Sequence, residues 1–255
     1  MKALVYHGNK DLRLETVPDP VPEPDEVKLK IDYCGICATD IEEYLYGPVF
    51  ISAEPNPITG KGMPMIVGHE MTGTVMEAGS EVADVRAGDR VVLNGCLTCG
   101  ECRWCKSGAD VQCPSLAVVA FSTDGGLAEQ MVWKASQVVK LPDNVSSEEA
   151  ALVEPSSVAM HAVRRSRLQE GERAVVLGVG TVGMMAMQEA KALGARVFAV
   201  DRRQLSLDLA AQLGAEAVIN PDTQDAGEAL QDLTDGDGPD VIIDAAGGPG
   251  TPALA

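Results

Sequence analysis

No apolar run in this 255-residue chain approaches the roughly 18 residues that a membrane-spanning helix needs. Its first residues, Met1-Lys2-Ala3-Leu4-Val5-Tyr6, have neither the apolar region nor the small-residue cleavage site of a secretory signal. A cytoplasmic location is therefore expected. Basic charge is scarce: 20 Lys and Arg face 38 Asp and Glu, a net charge of −18. The summed field repels polyphosphate backbones and anionic membrane surfaces, which excludes nucleic acid and membranes as partners. No internal repeat or low-complexity tract interrupts the chain. What remains is 45% hydrophobic and 23% charged, an ordinary globular composition with enough length for about two domains.

Seven cysteines make an odd number, and five of them, Cys96, Cys99, Cys102, Cys105 and Cys113, crowd into one short stretch. Without an export signal that usage points to metal, not disulfides. Cys99, Cys102, Cys105 and Cys113 follow a C-x2-C-x2-C-x7-C spacing that can turn four thiolates toward one tetrahedral zinc, a closed and structural arrangement. Buried free thiols would not need Gly100, Arg103 and Lys106 among them. A nucleic-acid-reading zinc ribbon would need a basic stripe that this acidic chain lacks. Cys96 has no evident role.

Up to about residue 150, short β-type runs such as 26–31 and 90–93 alternate with Gly, Pro and Asp, as in an antiparallel, partly closed β domain. A helical pattern covers 149–165. Strands at 174–177, 197–200, 217–219 and 241–243 then alternate with helices at 182–193 and 205–213, which predicts an α/β domain with a parallel sheet. A doubly wound dinucleotide domain has about six strands, and further crossover units of roughly 30 residues each cannot fit into 247–255. The second domain is thus expected to be C-terminally truncated.

Gly178, Gly180 and Gly183 form a G-x-G-x-x-G fingerprint that follows a predicted strand and opens a helix. Such glycines permit a tight turn and let a pyrophosphate approach main-chain N–H groups. Asp201 ends the next strand, where a carboxylate accepts hydrogen bonds from adenosine ribose hydroxyls and repels a 2′-phosphate, favouring NAD over NADP. Arg202 and Arg203 follow, either to meet a 2′-phosphate or simply as solvated charges.

Three separated segments each offer one metal ligand: Cys37, His69 and Glu154. Mixed sulfur, nitrogen and oxygen ligation suits catalytic zinc, although Gly68-His69-Glu70 alone most often marks nothing more than a polar turn. Continued by Gly73, Gly79 and Val82, that segment resembles the zinc signature of the medium-chain alcohol dehydrogenase family, and Gly88-Asp89-Arg90-Val91 follows as it does there. The order of motifs resembles that family along the whole chain. Cys34-Gly35-Ile36-Cys37, the run from Glu43 to Ile51 and Glu154-Pro155 resemble its butanediol, sorbitol and threonine dehydrogenase branch.

The resemblance implies a GroES-like, mostly-β catalytic domain over 1–155 that carries the four-cysteine lobe, and a partial Rossmann domain over 156–255. It implies a catalytic zinc on Cys37, His69 and Glu154, with Glu70 entering or leaving the shell, and a structural zinc on the four cysteines. Asp40 would accept a hydrogen bond from the His69 ring, and Thr39 would take the alcohol proton. NAD would lie along Gly178, Gly180, Thr181, Val182, Gly183, Asp201 and Arg202. The implied activity is hydride exchange between NAD and a secondary alcohol, vicinal diol or polyol, or the matching ketone, in a homodimer or homotetramer. Glu42 stands near where many relatives carry a relay histidine, so the outward proton route departs from the pattern. His7 and His161 read as structural. The competing readings are a non-catalytic nucleotide-binding or zinc-stabilised scaffold fragment, and a zinc-free quinone reductase, which conflicts with the retained ligands.

Overall fold

The computed structural model describes residues 1–248 and 251; positions 249–250 and 252–255, most of the tail judged too short for further crossover units, lie outside the described residues. The chain divides into two compact units, Met1–Glu154 and Pro155–Ala255.

The first unit is built on an antiparallel five-stranded sheet in the order Val138–Lys140, Arg90–Leu93, Glu70–Ala78, Glu26–Gly35, Gln130–Lys134. Its pattern follows from the two-residue side-chain period of a strand. Val27 and Leu29 are fully buried, while the intervening Lys28 and Lys30 turn outward. Val27, Leu29, Met71, Val75, Val91, Met131 and Trp133 form the core of this unit. A three-stranded sheet, Asp11–Thr16, Lys2–Gly8 and Met65–Ile66, packs a second cluster of Tyr6, Ile51, Met65 and Val67.

One register matters for function. Strands Glu26–Gly35 and Glu70–Ala78 run antiparallel with Gly35 opposite Glu70. The chain therefore leaves the first strand toward Cys37 at the same sheet end where His69 leads into the second.

The second unit is a four-stranded parallel sheet in the order Ala217–Ile219, Arg196–Val200, Arg173–Leu177, Val241–Asp244. Helices Thr181–Ala192, Gln204–Gln212 and Ala226–Leu233 supply the crossovers. Strand 173–177 is buried on both faces, as parallel strands under helices must be. Ala174 and Val176 join one cluster, Val175 and Leu177 the other.

Two features differ from the sequence reading. The single helical pattern over 149–165 is two helices, Ser147–Ala150 and Val153–Ser166. Ser146 and Glu149 close a capping box on the first, and Pro155, which lacks an N–H, suits the first turn of a new helix better than the interior of a long one. Helix Ala226–Leu233 was not foreseen. Its signal is local: the Asp225 carboxylate accepts the Glu228 N–H at 2.9 Å as an N-cap.

Candidate metal and cofactor sites

Cys37 is the N-cap of helix Ala38–Tyr46. Its main-chain N–H donates to Asp40 Oδ2 at 2.9 Å, which fixes the turn that presents its thiol. Cys37, His69 and Glu70 each bring one ligand atom within 4.8 Å of the others. Gly35 makes this possible, because a Cβ there would strike Glu70 Oε2. Thr39 Oγ1 stands 3.5 Å from His69 Nε2.

Glu154 lies outside the 4.8 Å trio, yet its charge acts on His69. The structure thus gathers Cys37 and His69 as expected, with Glu70 in the tight cluster and Glu154 at its margin. Burial pushes the Glu154 carboxyl above its ordinary value; His69 opposes this and the Glu70 charge adds to it. Burial also depresses the His69 imidazole, but the contact with Cys37 and the charges of Asp40, Cys37 and Glu154 outweigh it and leave the group raised. Crowded anions around one imidazole form an electrostatic well that a divalent cation relieves, and the donor chemistry suits zinc.

The expected hydrogen bond from the His69 ring to Asp40 is not formed. Nδ1 and Oδ1 are 3.9 Å apart, beyond hydrogen-bonding reach, and buried Nδ1 has no hydrogen-bond partner among the described residues. Asp40 is the third residue of the helix, and its carboxylate is committed to the Cys37 N–H.

The four-cysteine lobe is assembled as its spacing implies. Cys113 Sγ is 3.5 Å from Cys99, Cys102 Sγ is 3.4 Å from Cys105, and Cys99 and Cys105 are 3.9 Å apart. Sulfurs about 2.3 Å from a tetrahedral zinc stand about 3.8 Å from one another, so the cage has the size zinc requires. The N–H groups of Glu101 and Cys102 help lower the Cys99 thiol to about 6, and a thiolate is the form that binds metal. Cys96 is half-buried and outside the cage, with its thiol raised by burial. His7 pairs with Glu15 at 2.9 Å and His161 is exposed on its helix.

In the second unit Gly178 has a φ of +80°, and its main-chain oxygen would collide with any Cβ at position 183. Both glycines are thus demanded by the turn. Helix Thr181–Ala192 begins at Gly180 with no side-chain cap, so no side chain takes up its first N–H groups, and such a helix start can bind an anion. Asp201 accepts N–H groups from Val179 at 2.9 Å and from Arg203 at 2.8 Å, pinning the glycine loop to the next strand. A cleft of about 570 Å³ is lined by Gly178, Val200, Asp201, Arg203, Pro221 and Ala246, a size suited to a nucleotide. Arg202 also borders it, but its guanidinium is exposed and paired with Asp222 at 2.8 Å. Arg203 is the arginine beside the glycine loop, 3.7 Å from where a Gly180 Cβ would stand. The sequence offered the two arginines without a way to separate them. Phe121, its ring 5.0 Å from His69, was missed altogether, since nothing near it in sequence marks a metal site.

Comparison with known proteins agrees with this geometry. The alcohol dehydrogenase GroES-like domain matches residues 23–143 and the zinc-binding dehydrogenase domain matches 181–253. Sorbitol dehydrogenase of Bacillus subtilis is 38% identical over 251 residues, covering 98% of this chain and 69% of the relative. The (R,R)-butanediol dehydrogenase of the same organism is 38% identical over 255 residues, covering 98% and 71%. The crystal structure of 2R,3R-butanediol dehydrogenase from Bacillus subtilis superposes with a TM-score of 0.91 at 36% identity, over 100% of this chain and 73% of that one. A zinc-binding dehydrogenase of Sinorhizobium meliloti 1021 bound to NADP gives 0.88 at 31% identity, over 98% and 71%.

A GroES-like β unit, a dinucleotide-type parallel sheet and two zinc-type donor sets define a zinc-containing dehydrogenase that works with NAD(P). The chain belongs to the zinc-dependent medium-chain alcohol dehydrogenase family, in its polyol and butanediol dehydrogenase branch. No helix among the described residues is long and apolar enough to cross a membrane.

Proposed function

We propose that this chain exchanges a hydride between NAD and the secondary alcohol of a vicinal diol or polyol. The observation that carries this is the convergence of Cys37, His69 and Glu70 from separate segments to within 4.8 Å, with Glu154 acting on the same imidazole. These four residues would hold the catalytic zinc, and Cys99, Cys102, Cys105 and Cys113 a structural one. Zinc in that open donor set would supply a Lewis acid for the alcohol oxygen, and a nicotinamide would supply the hydride acceptor. Thr39 Oγ1, beside His69 Nε2, would accept the alcohol's proton while passing its own outward. Asp40 holds the turn at Cys37. Glu42 is exposed and marks a departure in the outward route.

Gly178, Gly180, Thr181, Val182 and Gly183 would present main-chain N–H groups to the pyrophosphate, and Asp201 would receive the adenosine ribose. The half-buried carboxylate of Asp201 supports NAD over NADP, and Arg202 stands at the cleft margin. The positions of these residues support reading 1–155 as a catalytic domain and 156–255 as a cofactor domain. A reducing cytoplasm suits seven free cysteines, and the family pattern supports a homodimer or homotetramer, which light scattering would test.

The decisive experiment measures zinc per chain and NADH formation with butanediol, sorbitol and threonine in one preparation. About two zincs with turnover would establish the reading and select the substrate; zinc without turnover would favour a non-catalytic scaffold.

A further inference from the structure

Glu43 is the one buried residue of helix Ala38–Tyr46, 1% exposed. A carboxylate so enclosed is costly unless its oxygens are hydrogen-bonded. They accept main-chain N–H groups from Val49 at 3.0 and 3.2 Å, Phe50 at 2.7 Å and Ile51 at 3.4 Å. Its main-chain carbonyl accepts the Gly47 N–H at 2.9 Å. Three successive donors converging on one anion form a cradle, with the protein's own side chain as the occupant. Tyr6 lies alongside, 1% exposed, its hydroxyl pushed up to about 12 by burial and then by the Glu43 charge. An apolar side chain in place of Glu43 would leave these buried donors without an acceptor, and an amide would keep one accepting oxygen but turn an NH2 donor toward the Val49 N–H that Oε1 now accepts.

The order imposed on this loop reaches the metal site. Ile51 is sealed in the cluster with Tyr6, Met65 and Val67. That fixes Phe50, whose half-exposed ring stands 5.4 Å from Phe121, and Phe121 in turn leans on His69. The helix that carries Glu43 begins at Cys37. One carboxylate therefore ties the helix of the thiol ligand to the rings that rest on the imidazole ligand.

We propose that Glu43 is a positioning residue, an internal anion that locks the 49–51 loop so that Phe50 and Phe121 form a fixed apolar wall for the alcohol's carbon chain. This rests on the dehydrogenase reading above. It assigns Glu43 no contact with substrate; its effect passes through Phe50.

The test uses the zinc-loaded chain and two variants, Glu43→Gln and Phe50→Ala. Amide hydrogen exchange, zinc per chain, and KM and kcat for the alcohol are measured together. Glu43→Gln is expected to speed exchange at Val49, Phe50 and Ile51 by about tenfold or more. It should raise KM about tenfold while kcat and zinc content stay within about twofold. Phe50→Ala should raise KM similarly with the three amides still protected. Unchanged exchange in Glu43→Gln would remove the anchor, and faster exchange with KM unmoved in both variants would remove the positioning role. If Glu43→Gln does not fold, Phe50→Ala decides: a raised KM supports the wall and an unmoved KM overturns it. A wild-type chain that holds zinc but turns over no alcohol would sink the dehydrogenase reading and the positioning role with it, while the exchange result would still report on the anchor.

Discussion

Cys37 does two jobs with different atoms. Its N–H is held by Asp40 at the start of a helix, and its thiol joins His69 and Glu70. Exchanging sulfur for oxygen should therefore leave the turn intact and damage only the metal site. Cys37→Ser is expected to lower zinc from about two to about one per chain and abolish turnover, with the circular dichroism spectrum unchanged; full activity in this variant would refute the assignment. Thr39 makes a finer test, because only its hydroxyl is invoked. Thr39→Ala should lower kcat by about a hundredfold or more, the scale of a lost proton-transfer group, and Thr39→Ser should recover most of it. Equal loss in both would mean that the threonine's shape, not its hydroxyl, is what the site needs.

At the level of elements, the cofactor turn is the most constrained piece. Gly178→Ala places a side chain at φ +80° and against Ala246, with contacts as short as 2.7 Å, which should cost about 1–3 kcal/mol of stability in the second unit, read by urea unfolding. Gly183→Ala meets the Gly178 carbonyl and should weaken binding of ADP-ribose by at least about tenfold, read by calorimetry. Both glycines were legible in the sequence because the fingerprint is a local pattern whose turn and helix start lie within six residues. The four-cysteine cage was legible for the same reason. Legibility failed where placement depends on which of several possible partners a side chain takes. That Asp40 caps Cys37 and stops short of His69, that Arg202 is drawn off by Asp222 while Arg203 stays beside the loop, and that Glu43 holds residues 49–51 are outcomes of competition among hydrogen bonds, and spacing does not rank such competitors. The pair of helices at Ser147–Ala150 and Val153–Ser166 sits between these cases: Ser146, Glu149 and Pro155 announce the break, but the apolar periodicity runs on across it.

For the whole molecule, the two zinc-type sites and the nucleotide cleft have different dependencies. The four-sulfur cage is closed by its own cysteines, whereas the Cys37, His69 and Glu70 site must leave a position for substrate. A bidentate chelator should therefore strip the open site first and extinguish turnover before the melting temperature moves. Removal of the second zinc, or Cys102→Ser, should then lower the melting temperature of the Met1–Glu154 unit, because a structural metal contributes folding energy directly. The residues that line the nucleotide cleft all belong to Pro155–Ala255, and none of them is a zinc ligand. ADP-ribose should accordingly bind the metal-stripped protein with an affinity within about threefold of the zinc-loaded form, since no lost contact touches it. If calorimetry instead finds that affinity falls along with the catalytic zinc, the cofactor unit depends on the metal centre, and the two-unit division would describe the architecture but not its energetics.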